Sequence, residues 1–172
     1  MTIQRVSSKP GCHWLEPCIE VCGADPVYVA ENAAEAYFEN HRGHLIRKIY
    51  YDDCYCRDQT VLKADFILGL PNRIDVVIEL KGADLGHAYA QVESTLARWR
   101  NDPNRYSTIA CLIIHSRREA TLKRVGILPR WRSQVGSAEA RFLRTNRTLL
   151  LIRESSIQRF RFDDFLRKND VR

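Results

Sequence analysis

The sequence lacks any long apolar run. Its longest uninterrupted one is IACLII, at residues 109–114, whereas a membrane-spanning helix needs ~20 such residues. The first residues, MTIQRVSSKPGCHWLEPC, also lack the apolar stretch that a secretory signal requires. These two absences argue against a transmembrane helix and predict a cytoplasmic protein whose thiols stay reduced.

The sequence also lacks a CxxC pair, although it has cysteines at positions 12, 18, 22, 54, 56 and 111. Cys12, His13, Cys18 and Cys22 could together surround a zinc ion, but their spacing fits no common zinc-binding motif. Cysteine is among the residues most often buried in protein interiors. We therefore interpret the cysteines as ordinary core or surface thiols.

Internal repeats and low-complexity segments are absent as well. Apolar residues make up 45% and charged residues 28% of the 172 residues, which is ordinary globular composition and excludes a disordered chain. At ~100–200 residues per domain, this length indicates one domain, residues 1–172. We divide it into an irregular leader rich in proline and glycine, a core, an arginine-rich region, and a C-terminal strand and tail: 1–27, 28–116, 117–147 and 148–172.

Positive charge is concentrated in the arginine-rich region. This region contains nine basic and two acidic residues, a net charge of +7, whereas the whole chain carries +6. A solvated, salt-bridged surface is one interpretation, but a run of one sign cannot neutralise itself and indicates a polyanion partner. We predict contacts to nucleic acid from the arginines and lysine, which suit phosphate, and from a tryptophan that can stack on a base: Arg117, Arg118, Lys123, Arg124, Arg130, Trp131, Arg132, Arg141, Arg144 and Arg147.

Hydrophobic periodicity predicts an α/β fold with the element order α-β-β-β-α-β-(α)-β. Alanine and aromatic residues at helical spacing indicate a first helix at 29–41, and a second at 84–100 has Asp84 as its N-cap. Helices packed on a mixed sheet bury such elements most economically. The predicted strands are 44–51, 60–70, 74–81, 107–115 and 148–153. A short C-terminal helix is predicted at 163–168.

The strand at 74–81 ends in two charged residues. Side chains alternate along a strand, so Glu79 and Lys81 lie on the same face. Asp65 and Glu79 are equidistant from Asn72 in the turn, and antiparallel pairing therefore sets their carboxylates side by side. Two buried carboxylates need a cation between them, and Mg²⁺ prefers such oxygen ligands. Lys81 would then orient or deprotonate a water molecule, or neutralise charge on a phosphate.

These residues resemble the motif of the PD-(D/E)XK nuclease superfamily. The match consists of Asp65, thirteen intervening residues, and then Glu79-Leu80-Lys81. Ala64 occupies the position before the aspartate, where the family usually has proline. The resemblance covers about residues 29–116 and implies a restriction-endonuclease-like core.

Residues on the two helices extend the resemblance. Gln91 resembles the glutamine that RecB-type exonucleases place on the helix after the motif strand, and His87 lies on the same helix flank as an accessory candidate. Glu35 resembles the acidic residue that Holliday-junction resolvases carry on the first helix. Glu31 and Glu39 compete with Glu35 for that role.

The resemblance implies a Mg²⁺-dependent deoxyribonuclease, with Mn²⁺ as an alternative ion. Asp65, Glu79 and the Leu80 carbonyl would hold the metal, while Lys81 and Gln91 would complete the catalytic site. The products would carry a 5′-phosphate and a 3′-hydroxyl. DNA is then the expected partner, with RNA as a weaker alternative, and a homodimer or a protein partner would supply specificity. A catalytically silent nucleic-acid-binding or assembly module of a repair or defence complex is the competing hypothesis.

Overall fold

The computed structural model describes residues 11–31, 34–52, 54–81, 84–115, 128–154 and 159–169. The first seven strands are β1 (Cys12–Glu16), β2 (Ile19–Cys22), β3 (Val27–Glu31), β4 (Ala34–Glu39), β5 (Ile46–Tyr50), β6 (Phe66–Leu70) and β7 (Ile74–Lys81). They are followed by α1 (Leu85–Trp99), β8 (Thr108–His115), α2 (Leu128–Asn146), β9 (Leu150–Glu154), β10 (Arg159–Arg161) and α3 (Phe162–Asn169). Within these ranges, no helix has both the length and the apolar character needed to cross a membrane.

A seven-stranded mixed sheet forms the centre of the fold, in the order β1-β2-β5-β6-β7-β8-β9. The strands from β1 to β7 pair antiparallel, whereas β7, β8 and β9 run parallel to one another. α1 forms the crossover between β7 and β8, as a parallel pair requires. The predicted α/β class with a mixed sheet is therefore confirmed.

Each face of this sheet is covered by a different layer. α1 and α2 pack on one face around Val92, Trp99 and Phe142. A second sheet, in the order β10-β4-β3, covers the other face together with α3 and contributes Phe38 and Phe160. Because β7 lies between both layers, it is buried along nearly its whole length. This burial explains why its sequence is almost continuously apolar, as in parallel sheets covered on both faces.

The core elements match their predicted positions closely. β7 has the predicted bounds, and β5, β6, β8, β9 and α3 lie at or within two residues of the predicted segments, apart from a later start of β6. The Asp84 side chain accepts a hydrogen bond from the His87 backbone N–H at 3.0 Å, which confirms Asp84 as the N-cap of α1. The helix written in parentheses in the predicted element order, within the arginine-rich region, is also present, as α2.

The first predicted helix is wrong, because residues 29–31 belong to β3 and residues 34–39 to β4, which pair antiparallel. Along β4, buried and half-buried residues alternate, with Ala34, Ala36 and Phe38 facing the core. Ala34 and Phe38, which lie four residues apart, fit a helical period and a period of two alike. Packing against the central sheet decides between the two periods, since strand preference depends mainly on a fitting half-buried surface.

The prediction of an irregular leader is also wrong where the structure describes it. Residues 12–22 form the β1–β2 hairpin at the edge of the central sheet, and β3 begins at Val27. Ile19 and Cys22 are buried, so this hairpin contributes to the core. Proline and glycine lie between these short strands, where they mark turns rather than an unstructured segment.

The prediction that all cysteines are free thiols is wrong for four of them. Disulfides join Cys12 to Cys22 and Cys18 to Cys54, while Cys56 and Cys111 are free. The first bridge links the paired strands β1 and β2, and the second ties the start of β2 to the loop after β5. Disulfides are typical of oxidising compartments, and the cytoplasmic location stays a prediction.

Alkylation of the purified protein tests this disulfide pairing. Under denaturing conditions without reductant, we expect two alkyl adducts, on Cys56 and Cys111, and six adducts after reduction. The Cys18→Ser variant releases Cys54 and should show three adducts without reductant. Intact-mass spectrometry reads these numbers directly. Six adducts on the unreduced wild type would contradict the pairing.

Candidate active site

The β6–β7 hairpin brings two carboxylates together at one end of the central sheet. Phe66 pairs with Ile78 and Leu70 with Ile74, around a turn in which Asn72 has a positive φ of 56°. The same register continues by one residue beyond Phe66 and sets Asp65 opposite Glu79. The predicted register about Asn72 is therefore confirmed.

Both carboxylates are buried. Asp65 is 8% exposed and Glu79 is 1% exposed. Asp65 Oδ2 accepts a hydrogen bond from the Leu80 backbone N–H at 2.6 Å, and Glu79 Oε1 lies 3.7 Å from Lys81 Nζ. Glu79 Oε2 is buried and has no hydrogen-bond partner among the described residues. An unsatisfied buried polar group costs about 1–3 kcal/mol, so this oxygen is free to accept a further ligand.

The environment favours the neutral form of both carboxyl groups. Burial is the main cause that raises the pKa of Asp65, and the Glu31 carboxyl and the Glu79 charge raise it further. Burial also raises the pKa of Glu79, together with the charges of Glu31 and Asp52, while Lys81 opposes the rise. A cation placed between the carboxylates would reverse this effect, because opposite charge favours ionisation.

Lys81 is held in place by α1. Lys81 Nζ donates to Gln91 Oε1 at 3.0 Å, and Gln91 Nε2 donates to the Lys63 carbonyl oxygen at 2.8 Å. One turn further along α1, Thr95 Oγ1 accepts from the Ala64 backbone N–H at 2.8 Å. α1 therefore fixes both the lysine and the chain segment that leads into Asp65. The structure thus brings the four predicted catalytic residues Asp65, Glu79, Lys81 and Gln91 into one cluster.

Of the competing upstream glutamates, the structure places Glu31 rather than Glu35 beside Asp65. Glu31, at the end of β3, reaches Asp65 as a hydrogen-bonding group. Glu35 instead accepts from the hydroxyl groups of Tyr28 at 3.0 Å and Tyr37 at 3.5 Å. The prediction for Glu35 assumed a helix, and the hairpin turns a different carboxylate toward the site. Helical spacing does not distinguish Glu31 from the other two candidate glutamates. The alternation of side chains along β3 does, because it places Glu31 on the same strand face as the buried Val27 and Val29.

A fourth acidic side chain lies close to the site. Asp52 forms an ion pair with Lys63, with Oδ1 and Nζ 2.8 Å apart, and its charge raises the pKa of Glu79. The Lys63 ammonium also donates to the Cys56 carbonyl oxygen at 3.3 Å. Sequence analysis missed Asp52 because it lies in an irregular segment without periodicity.

The remaining predicted site residues lie elsewhere or outside the description. His87 is exposed in the first turn of α1, where its backbone N–H is engaged by the N-cap. Arg117, Arg118, Lys123 and Arg124 lie outside the described residues, and α2 includes Arg130, Trp131 and Arg132 without a description of their side chains. Of the residues predicted to contact nucleic acid, Arg141, Arg144 and Arg147 have described side chains, and all three are exposed.

Asp75 shares a strand face with Glu79 but belongs to a separate buried cluster. Asp75 Oδ2 accepts from Trp99 Nε1 at 2.9 Å and from the Tyr106 backbone N–H at 2.7 Å, and Arg47 pairs with Oδ1 at 3.2 Å. The Asp75 side chain is fully buried. Three well-placed partners identify it as a structural residue.

The donor chemistry of the candidate site suits a hard cation. Asp65, Glu79 and the Leu80 carbonyl provide oxygen ligands, which Mg²⁺ prefers, with water or phosphate completing its shell. Among the described residues, three acidic, cysteine or histidine ligand atoms lie within 4.8 Å of one another only at Cys12, Glu20 and Cys22. Two of those sulfurs form a disulfide and provide no thiolate. The carboxylate pair is therefore the better candidate, although it offers fewer than three such side chains.

Comparison with known proteins returned no match: no protein-family model, no curated protein and no solved structure matches this chain. The similarity to PD-(D/E)XK nucleases therefore depends on the motif residues and their arrangement. It stays a prediction.

Proposed function

We propose that this protein is a Mg²⁺-dependent nuclease that hydrolyses phosphodiester bonds of DNA. The observation that carries the proposal is the buried pair of Asp65 and Glu79, with an unsatisfied Glu79 oxygen and the Lys81 ammonium beside it. A stable fold gains nothing from two adjacent buried carboxylates of raised pKa. A cation between them makes the arrangement favourable.

Asp65, Glu79 and the Leu80 carbonyl would hold the metal. When bound, a divalent ion polarises a phosphodiester and lowers the pKa of water, so that hydrolysis proceeds near neutral pH. The chain itself supplies the rigid support, because Asp65 is fixed by the Leu80 N–H and Glu79 lies within the central strand β7. Such fixed positions are what oriented catalytic groups require.

Lys81 is the group we assign to the phosphate. Its side chain is 29% exposed, whereas Glu79 behind it is fully enclosed, so the ammonium is the part of the cluster that reaches solvent. Glu79 and Gln91 together fix its position. An ammonium held there can neutralise charge that develops on a phosphate in the transition state.

The core topology supports a restriction-endonuclease-like arrangement. β5, β6 and β7 form an antiparallel meander, α1 crosses over, and β8 pairs parallel with β7. This is the β-β-β-α-β order that the resemblance implies. Where it implies a first helix, this chain has the β3–β4 hairpin on the opposite face of the sheet from α1.

Cleavage of supercoiled plasmid and of linear DNA tests the proposal. We expect wild-type protein to cut with Mg²⁺ or Mn²⁺ and to stop cutting in EDTA. Nicked circles would indicate endonuclease action, and shortened linear products would indicate exonuclease action. Salt-sensitive DNA binding without any metal-dependent cleavage would overturn the proposal in favour of a silent binding module.

Gln91 should affect the rate through Lys81. We expect Gln91→Ala to lower kcat about 10–100-fold, the range for residues that orient a catalytic group, with little change in KM. Single-turnover cleavage at saturating DNA measures the effect. Ser94→Ala, on the same helix but outside the described hydrogen bonds to Lys81 and Lys63, is the matched control. An unchanged kcat for Gln91→Ala would exclude this positioning role.

A further inference from the structure

A polar cleft lies at the end of the central sheet that is opposite to the carboxylate site. Its volume is about 670 Å³, and it opens between the ends of α1 and α2 and the start of β8. Thr108, at its edge, pairs with Ile74, whereas Ile113 pairs with Glu79. Five residues of strand separate the two levels, roughly 17 Å. The cleft is thus distinct from the carboxylate site.

The cleft is strongly basic. Three arginines line it, and its lining contains no acidic and no aromatic residue. Within the described part of the chain, Arg100, Arg105 and Arg147 form no ion pair with a carboxylate. The C-termini of two helices face this region, and each carries about half a negative charge. Roughly two positive charges therefore remain uncompensated.

Arg100 has a structural role, but Arg105 and Arg147 do not share it. Arg100 donates to the Asn146 carbonyl oxygen and to Thr148 Oγ1, the latter at 2.8 Å, and so caps the end of α2. The Arg105 side chain makes a single described hydrogen bond, to the Tyr106 carbonyl oxygen at 3.2 Å, and Arg147 is exposed. These two guanidinium groups have donors available for a ligand.

Neutral polar side chains also belong to the lining. The Asn146 amide and the Thr148 hydroxyl already donate within the protein, to Glu93 and to the Asn146 carbonyl oxygen. The hydroxyl groups of Ser107, Thr108 and Thr145 make no described hydrogen bond and can donate to phosphate oxygens. The absence of aromatic residues excludes base stacking within the lining. The neutral polar residues are Ser107, Thr108, Thr145, Asn146 and Thr148.

The basic surface continues from the cleft along α2. Arg141 and Arg144 lie three residues apart on α2, about 4.5 Å along the helix axis, and Arg147 follows directly after the helix ends at Asn146. Arg141 and Arg144 line a smaller groove on the same helix, with a volume of about 370 Å³. A row of this kind matches a polymer with repeated negative charge better than a single small anion.

We propose that this cleft binds the backbone phosphates of a nucleic-acid strand. Recognition would be independent of base sequence, because phosphate contacts position a strand without reading it. The proposal concerns binding alone and holds whether or not the carboxylate site cleaves DNA.

The test measures DNA affinity against salt concentration in EDTA, so that cleavage plays no part. Fluorescence anisotropy is recorded with a labelled 30-nucleotide single strand and with its duplex. The cleft variant is Arg105→Gln/Arg147→Gln, which keeps Arg100 and its structural contacts. The control is Arg42→Gln/Arg159→Gln, which removes the same charge from exposed positions outside the cleft.

We expect the cleft variant to bind at least one of the two probes about tenfold more weakly at low salt. Its salt slope should fall by about 1.4–1.8, since each lost phosphate contact contributes about 0.7–0.9. Arg105→Lys/Arg147→Lys should recover most of that slope, which would exclude misfolding as the cause. Equal slopes for the cleft and control variants with both probes would overturn the proposal. Displacement of the DNA by millimolar inorganic phosphate at constant ionic strength would assign the cleft to a small phosphate compound instead.

Discussion

Replacing Glu79 with glutamine is expected to lower the rate of metal-dependent DNA cleavage about 10³-fold or more. The substitution keeps the size of the side chain but removes the charge that a divalent ion needs. Loss of the ion forfeits several kcal/mol of transition-state stabilisation, and each 1.36 kcal/mol corresponds to a factor of ten. Initial rates of plasmid nicking or of linear-DNA degradation with Mg²⁺ measure the effect.

DNA affinity in EDTA separates a catalytic from a structural role for Glu79. We expect Glu79→Gln to bind duplex DNA within about twofold of wild type, because the basic surface lies on other elements. Glu16→Gln, an exposed glutamate on the edge strand β1, is the matched control and should cut normally. Cleavage by Glu79→Gln at the wild-type rate would contradict the assignment of Glu79.

Metal-free protein is expected to lose stability as pH rises from about 4 through neutral values. The pKa values of Asp65 and Glu79 are raised by burial from their ordinary values of 3.8 and 4.5. Over this window the folded state therefore holds protons that the unfolded state has released. Their contribution to stability is fully present below the ordinary pKa values and disappears as pH rises through the raised ones.

Thermal unfolding of Glu79→Gln in EDTA measures this contribution. Removing one buried charge should raise Tm by about 2–8 °C at about pH 8, which corresponds to about 1–2 kcal/mol in a chain of this size. The difference should shrink toward about pH 4, where the wild-type carboxyl groups are protonated. Mg²⁺ should stabilise wild type and leave the variant unchanged. If the Tm of Glu79→Gln is lower than that of wild type by the same amount at every pH, the buried charge of Glu79 does not cost stability and this prediction is wrong.

The sequence was most informative for the part of the fold built around β7. The apolar run of Ile74–Lys81 has a clear length and a turn before it, and both fix its pairing with β6. The stripe of α1 is unambiguous, because Val92, Leu96 and Trp99 recur at helical spacing and all are buried. The grouping of Asp65, Glu79 and Lys81 follows from the pairing of β6 with β7, whereas Gln91 was selected by the resemblance to the nuclease motif.

The upstream segment was not predictable in the same way. Ala34 and Phe38 fit a helical and a strand period alike, and contact with the central sheet selects the strand, in which Ala36 faces the core with them. The choice of Glu31 over Glu35 depends on that outcome. The disulfides depend on the three-dimensional approach of β1, β2 and the loop after β5, which spacing along the chain does not encode.

The basic cleft shows a further limit of local pattern. Arg100 and Arg105 lie outside the arginine-rich region and carry no signal as isolated residues. The fold brings them to Arg147, because α1 and α2 both end at the same edge of the sheet. Charge counting along the chain therefore found part of the basic surface and missed the residues that make it a cleft.

The most direct test of the central claim is a Mn²⁺ titration followed by the EPR signal of the free ion. Mn²⁺ takes the same oxygen ligands as Mg²⁺. We predict that wild type binds at least one Mn²⁺ ion per chain. The Asp65→Asn and Glu79→Gln variants should each bind one ion fewer than wild type, and the Glu16→Gln control should bind as many as wild type. Equal binding by wild type and both site variants, or no binding by wild type, would contradict a metal centre at Asp65 and Glu79.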